Sequence, residues 1–243
     1  MKYSLLGLVI LLPILSFSKA TTESLVKKMD ELFRSDSSIA TMKMQVITPD
    51  YERTMRMEIW TQGMDYTFIT ILAPRKDKGV STLKRKNEMW NYFPKINKVI
   101  KVPPSMMMGS WMGSDLTNDD LVKDSTLLDD YTVMLKGEAT PYYVLELKPK
   151  AETVSLWGKI EIQLDKKSEL PIKQIFYDEK GLQVRVMNFK DVKKVGRKEI
   201  PMTIELLPVK KPGNRTVITY EKIKFDIPIT KKTFTRSNLQ KRR

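Results

Sequence analysis

The chain contains no cysteine and no histidine, and this settles most of its possible chemistry. Disulfides, thiolate and imidazole metal sites, cysteine nucleophiles and histidine-based triads are excluded. General acid–base work would fall to carboxylates, lysine or tyrosine. The acidic pairs are Asp119/Asp120, Asp129/Asp130 and Asp178/Glu179. By the local pattern all three sit in turns or at helix starts, where acids are common for capping reasons. No glycine-rich phosphate loop, G-x-S-x-G elbow or EF-hand spacing is present. The residues therefore predict no enzyme, no cofactor and no metal site. What stands out instead is apolar: 15 methionines, four of them in the run PSMMMGSWMG at 104–113. Methionine is flexible and polarisable, which suits greasy partners of irregular shape. The run is too short to span a bilayer. It reads either as a loop plugging its own core or as a flap over a hydrophobic site, with Gly109 and Gly113 as hinges.

The elements that must position this run lie in the stretch 79–121. A basic alternating strand, 80–86, is followed by the aromatic strand EMWNYFP at 88–94 and a second basic strand at 98–102. Pro103-Pro104 ends that strand, since neither residue donates to a ladder. After the methionines, Thr117 reads as a helix cap, with Asp119 and Asp120 complementing the positive end of the dipole.

Elsewhere the chain alternates. A helix is expected over 21–34, with Leu25, Met29, Leu32 and Phe33 on one face. From Ile39 on, Ala40, Met42, Met44 and Val46 share a strand face, and in the next strand Met55, Met57 and Ile59 do. Residues 64–72 are apolar on both sides, as in a strand covered on both faces. Trp90 and Tyr92 point to one side of their strand and Met89 and Phe93 to the other; parity leaves open which pair faces inward. Short turns between successive strands favour antiparallel pairs over βαβ units. No repeat or long linker divides the chain.

Residues 1–20 read as a signal peptide: Lys2, an apolar core over 5–17, and Ser18-Lys19-Ala20 as the cleavage site. Export to the periplasm with cleavage after Ala20 is expected, leaving residues 21–243 as one domain. The formal net charge is +14 and falls to +12 without Lys2 and Lys19. That balance implies attraction to anionic surfaces; export points to lipid headgroups or an acidic partner rather than nucleic acid.

The run KGVSTLKRKNEMWNYFPKINKVIKVPP followed by MGSWMGSDLTNDDL resembles the outer-membrane lipoprotein-sorting family, the LolA/LolB-like periplasmic carriers. The resemblance extends from about Thr22 to the C-terminus and is strongest over 78–121. It implies a mainly β fold with a few helices: a strongly curved antiparallel sheet, an unclosed half-barrel, covered by an N-terminal helix and a helical or loop lid. It implies a monomeric carrier of lipoprotein acyl chains, lipids or similar hydrophobic cargo, moving them towards the outer membrane in concert with an inner-membrane exporter. A sensor on the same fold, reporting acyl ligands to a membrane partner, is the alternative. LolA itself uses a buried arginine near the lid, which no single arginine here matches by sequence, and the LolB anchor requires a cysteine that this chain lacks. The candidate ligand-binding residues are Met42, Met44, Met55, Met57, Ile59, Phe68, Trp90, Tyr92, Met106, Met107, Met108, Trp111 and Met112.

Overall fold

The computed structural model describes residues 21–123, 127–137, 141–153, 155 and 157–241, without the side chains of Val122 and Lys123. The expected signal peptide lies outside the described residues, as do 138–140 of one expected turn and 242–243 of the tail.

The alternating segments form thirteen strands: β1 (Ser37–Ile47), β2 (Glu52–Gln62), β3 (Tyr66–Ala73), β4 (Ser81–Arg85), β5 (Glu88–Phe93), β6 (Lys98–Lys101), β7 (Tyr131–Gly137), β8 (Tyr142–Pro149), β9 (Lys159–Asp165), β10 (Pro171–Tyr177), β11 (Gln183–Val195), β12 (Lys198–Pro208) and β13 (Arg215–Phe225). All belong to one antiparallel sheet in the order β6-β5-β4-β3-β2-β1-β13-β12-β11-β10-β9-β8-β7. The end strands β6 and β7 do not pair, so the sheet is not closed into a barrel. Its curvature has local causes. The register slips at Thr41/Met42, Arg56/Met57, Phe176/Tyr177 and Leu135/Gly137, and such bulges bend a strand and raise its twist.

Among the described residues four short helices accompany the sheet: α1 (Thr22–Asp30), α2 (Asn118–Lys123), α3 (Leu127–Asp130) and α4 (Arg236–Leu239). Helix α1 starts where expected, with the Thr21 hydroxyl accepting from the Ser24 N–H at 3.2 Å. It ends at Asp30 rather than Arg34; the chain continues in turns, stitched by Leu32 N–H to Met29 O at 3.1 Å and Arg34 N–H to Glu31 O at 3.3 Å. Leu25 and Val26 pack with Leu127, Leu145, Leu147 and Ile162, so α1 and α3 cover the β7–β10 end of the inner face.

Alternation along each strand separates two faces. Met42, Met44, Met55, Met57, Ile69 and Met89 share the inner core with Ile204 and Ile218. Phe68, Leu83, Trp90 and Tyr92 form a separate outer cluster, sealed by Phe234 and Leu239 of the C-terminal segment. Strand β3 is thus covered on both sides, as its continuous apolar run requires. None of the described helices is long and apolar enough to cross a membrane.

Candidate functional site

The inner face and the segments across it enclose a cavity of about 210 Å³. The sheet contributes Ala40, Met42 and Met44 from β1, Met57 and Ile59 from β2, Ile69 from β3, Phe176 from β10, Met187 and Phe189 from β11, Ile204 from β12 and Ile218 and Tyr220 from β13. Met29, Leu32 and Phe33 close it from the N-terminal side, and Trp111, Leu116 and Leu121 from the side of α2. Phe33 stacks on Tyr220, with ring centroids 4.8 Å apart and planes 2° from parallel. Most of this lining is aliphatic, methionine or aromatic, the composition of a site for an apolar ligand.

The run 104–113 is part of the wall, held by a dense set of hydrogen bonds. Trp111, 4% exposed, donates its indole Nε1–H to Thr82 Oγ1 at 3.2 Å inside the core. Its backbone N–H bonds Leu116 O at 2.7 Å. Asp119 N–H bonds Met107 O at 2.9 Å, and Asn118 Nδ2 bonds Met106 O at 3.0 Å. Arg53 Nη1 donates to Met112 O at 3.2 Å and also pairs with Asp77 at 2.8 Å. Gly109 has little space: a Cβ there would meet Met106 O at 3.0 Å. Met107 and Met112 pack on the inner core, whereas Met106 and Met108 are 60% and 55% exposed.

The candidate residues therefore divide. Met42, Met44, Met57, Ile59 and Trp111 line the cavity. Met55 lies in the inner core without lining the cavity, and Met107 and Met112 pack against that core. Phe68, Trp90 and Tyr92 are corrected: they lie on the outer face, because Trp60 opposes Phe68, and Leu83 opposes both Phe68 and Trp90. The inward side chain of β5 is Met89. Lys84, in the basic strand expected over 80–86, is 3% exposed and donates Nζ to Met64 O at 2.8 Å.

Two arginines line the cavity that the sequence did not single out. Arg185 of β11 meets Asp120 of α2 in a bidentate pair, Nη1 to Oδ2 and Nη2 to Oδ1, both at 2.6 Å. The side chains are 6% and 13% exposed. Burial alone pushes the Asp120 carboxyl up, but the Arg185 charge and hydrogen bonds, with the Thr117 N–H at 2.7 Å and hydroxyl at 2.9 Å, hold it below the usual carboxylate range. The guanidinium lies 4.0 Å from the Phe176 ring centroid and 4.5 Å from that of Trp157. Beside the pair, burial pushes the Tyr131 hydroxyl up, aided by Asp130 and Asp119; that hydroxyl bonds Ser155 Oγ at 2.5 Å. Arg34, following α1, donates Nη1 to Thr67 Oγ1 at 3.1 Å. Among the described residues no group of three or more carboxylates is placed to hold a metal ion.

An open, curved antiparallel sheet wrapped around an apolar cavity and crossed by helices defines the LolA-like fold. Three solved structures share it. A DUF1329 family protein from Desulfovibrio piger is 22% identical, with a TM-score of 0.78 over 88% of this chain and 96% of that one. A protein from Vibrio parahaemolyticus described as an outer membrane lipoprotein-sorting protein domain is 22% identical, with a TM-score of 0.76 over 89% and 97%. A LolA superfamily protein from Nitrosomonas europaea is 22% identical, with a TM-score of 0.76 over 90% and 100%. At this identity the likeness is one of fold. Residues 63–241 match the model of a family described as "uncharacterized protein", and the chain belongs to that family. No curated protein matches the chain.

Proposed function

We propose that the protein is a periplasmic carrier that shields acyl chains of lipoproteins or lipids on their way to the outer membrane. The supporting observation is the cavity: about 210 Å³ lined mainly by methionine, isoleucine, leucine and aromatic side chains between an open sheet and a cover. Each CH₂ group moved from water into such a lining is worth about 0.8 kcal/mol, so the part of an acyl chain that the cavity holds gains several kcal/mol before ordering costs. Methionine side chains on β1 and β2 can re-pack around chains of different length. No directional chemistry is required.

In this reading the chain is exported, cut after Ala20 and works as one domain and a monomer, loading at the inner membrane from an exporter. Net charge +14 across the full sequence supports approach to anionic headgroups. The test is mass spectrometry of lipid extracted from protein purified out of its native periplasm. Acyl-containing species in exchangeable stoichiometry are expected. A defined protein partner with no acyl material would refute the carrier and favour a sensor.

A further inference from the structure

The cavity is not uniformly apolar. At one end the lining includes Ser38, Thr61 and Thr67, which stand opposite one another across β1, β2 and β3 in a cross-strand row that Lys84 of β4 continues outside the lining. All four are buried. Ser38 and Thr61 share a hydrogen bond of 2.7 Å between their hydroxyls. The adjoining inner-face row is Ala40, Ile59 and Ile69, and the next opens on Met42 and Met57. A ligand lying along the strands would pass from a polar end into methionine and isoleucine.

Arg34 sits at the polar end. It is 9% exposed and lines the cavity with Ser38, Thr61 and Thr67. Arg53 and Arg185, the other arginines tied to the cover, each hold a carboxylate, Asp77 and Asp120. Arg34 has Thr67 Oγ1 at 3.1 Å, and among the described residues no carboxylate lies within 4.0 Å of it. Asp30 and Asp119 also line the cavity, but each is engaged in an interaction of its own. A guanidinium has five donors in a planar fork matched to carboxylate and phosphate oxygens. No Arg34 nitrogen is a buried atom without a partner, whereas Nε of Arg53 and of Arg185 is, so the rest of the Arg34 fork is accessible from the cavity; a purely apolar cargo would strip its water and would be served better by an apolar side chain at this position.

We propose that this end of the cavity is a headgroup site, and that the cargo is an amphiphile with an anionic head, a carboxylate or a phosphate, held by Arg34. The acyl chain then runs along Ile59, Ile69, Met42 and Met57. This rests on the reading of the cavity as an acyl site and narrows it to acidic amphiphiles.

The test measures dissociation constants for two matched pairs of ligands by native mass spectrometry. Palmitic acid against palmityl alcohol reports a carboxylate; palmitoyl lysophosphatidic acid against monopalmitoylglycerol reports a phosphate. In the wild-type protein at least one acid should bind roughly tenfold or more tightly than its neutral partner, the scale of hydrogen bonds to a charged group. The pair with the larger ratio identifies the head. Arg34→Met should bring that ratio close to one and Arg34→Lys should keep most of it, while Arg56→Met, on the outer face, should leave it unchanged. The wild-type ratio requires no variant to fold. Equal affinities within both pairs would overturn the headgroup site and leave the acyl cavity standing. Failure of all four ligands to bind would contradict the acyl cavity, and the headgroup site with it.

Discussion

Replacing Asp120 with asparagine removes one charge and almost no volume from the joint between α2 and β11. In the native protein the carboxylate receives two hydrogen bonds of 2.6 Å from Arg185 and two from Thr117. Asparagine can accept at one oxygen only and places an NH₂ group against a guanidinium. Arg185, with 6% of its side chain exposed, is then a buried cation without a counter-ion. Breaking such a pair costs about 3–5 kcal/mol. For a domain of this size each kcal/mol moves the melting temperature by about 2–4 °C, so Asp120→Asn should melt roughly 6–20 °C below wild type. The double variant Asp120→Leu/Arg185→Met removes both charges and should recover most of that loss, because apolar replacements of buried pairs are often neutral. The assay is thermal unfolding by circular dichroism on all three proteins. An Asp120→Asn loss below about 1 kcal/mol would show that water reaches the joint, and the argument from burial would fail.

The same pair contributes to acid sensitivity. Lys136 holds Glu146 low, the Ser168 N–H holds Asp165 low and Lys190 holds Glu205 low, as Arg185 does Asp120. A carboxylate whose folded pKa is depressed stabilises the fold above its unfolded pKa, about 4, and that stability is lost as pH falls through the lower folded value. Urea midpoints should be flat above about pH 5 and fall below it, less steeply in Asp120→Asn. Met57→Ala, at a site 1% exposed, should cost about 2–5 kcal/mol. Met106→Ser, at a site 60% exposed, should stay within about 0.5 kcal/mol in the same denaturation assay. Gly158→Ala brings a Cβ to 2.6 Å from Asp178 O and 2.8 Å from Glu179 Cα; since backbone must shift, a loss of about 1–3 kcal/mol is expected by urea titration.

The strands were legible because period-2 alternation is local. Met42, Met44, Met57 and Ile59 share a face by parity alone, and that face lines the cavity. Parity could not decide which face of β5 turns inward. That depends on the outer cluster, and its sealing residues, Phe234 and Leu239, lie far along the chain. The spacing of Leu32 and Phe33 extends α1 to Arg34, but a tight turn presents both side chains to the cavity equally well. The local pattern makes Asp120 a helix-start acid, and its Thr117 contacts fit that; its Arg185 partner lies 65 residues away. Arg34 and Arg185 had no local signal at all, being two among 43 lysines and arginines. Only the sheet order brings β11 opposite α2 and Arg34 beside Thr67.

The most direct test of an acyl cavity is to fill it. Ala40 is 4% exposed, lines the cavity and lies between Ile59 of β2 and Ile223 of β13. Ala40→Phe would project a ring into the space an acyl chain needs. Titration of a fluorescent fatty acyl probe should give saturable one-to-one binding to the wild-type protein and at least a tenfold weaker signal with folded Ala40→Phe. Binding of equal strength to both proteins, or none to the wild type, would contradict the account.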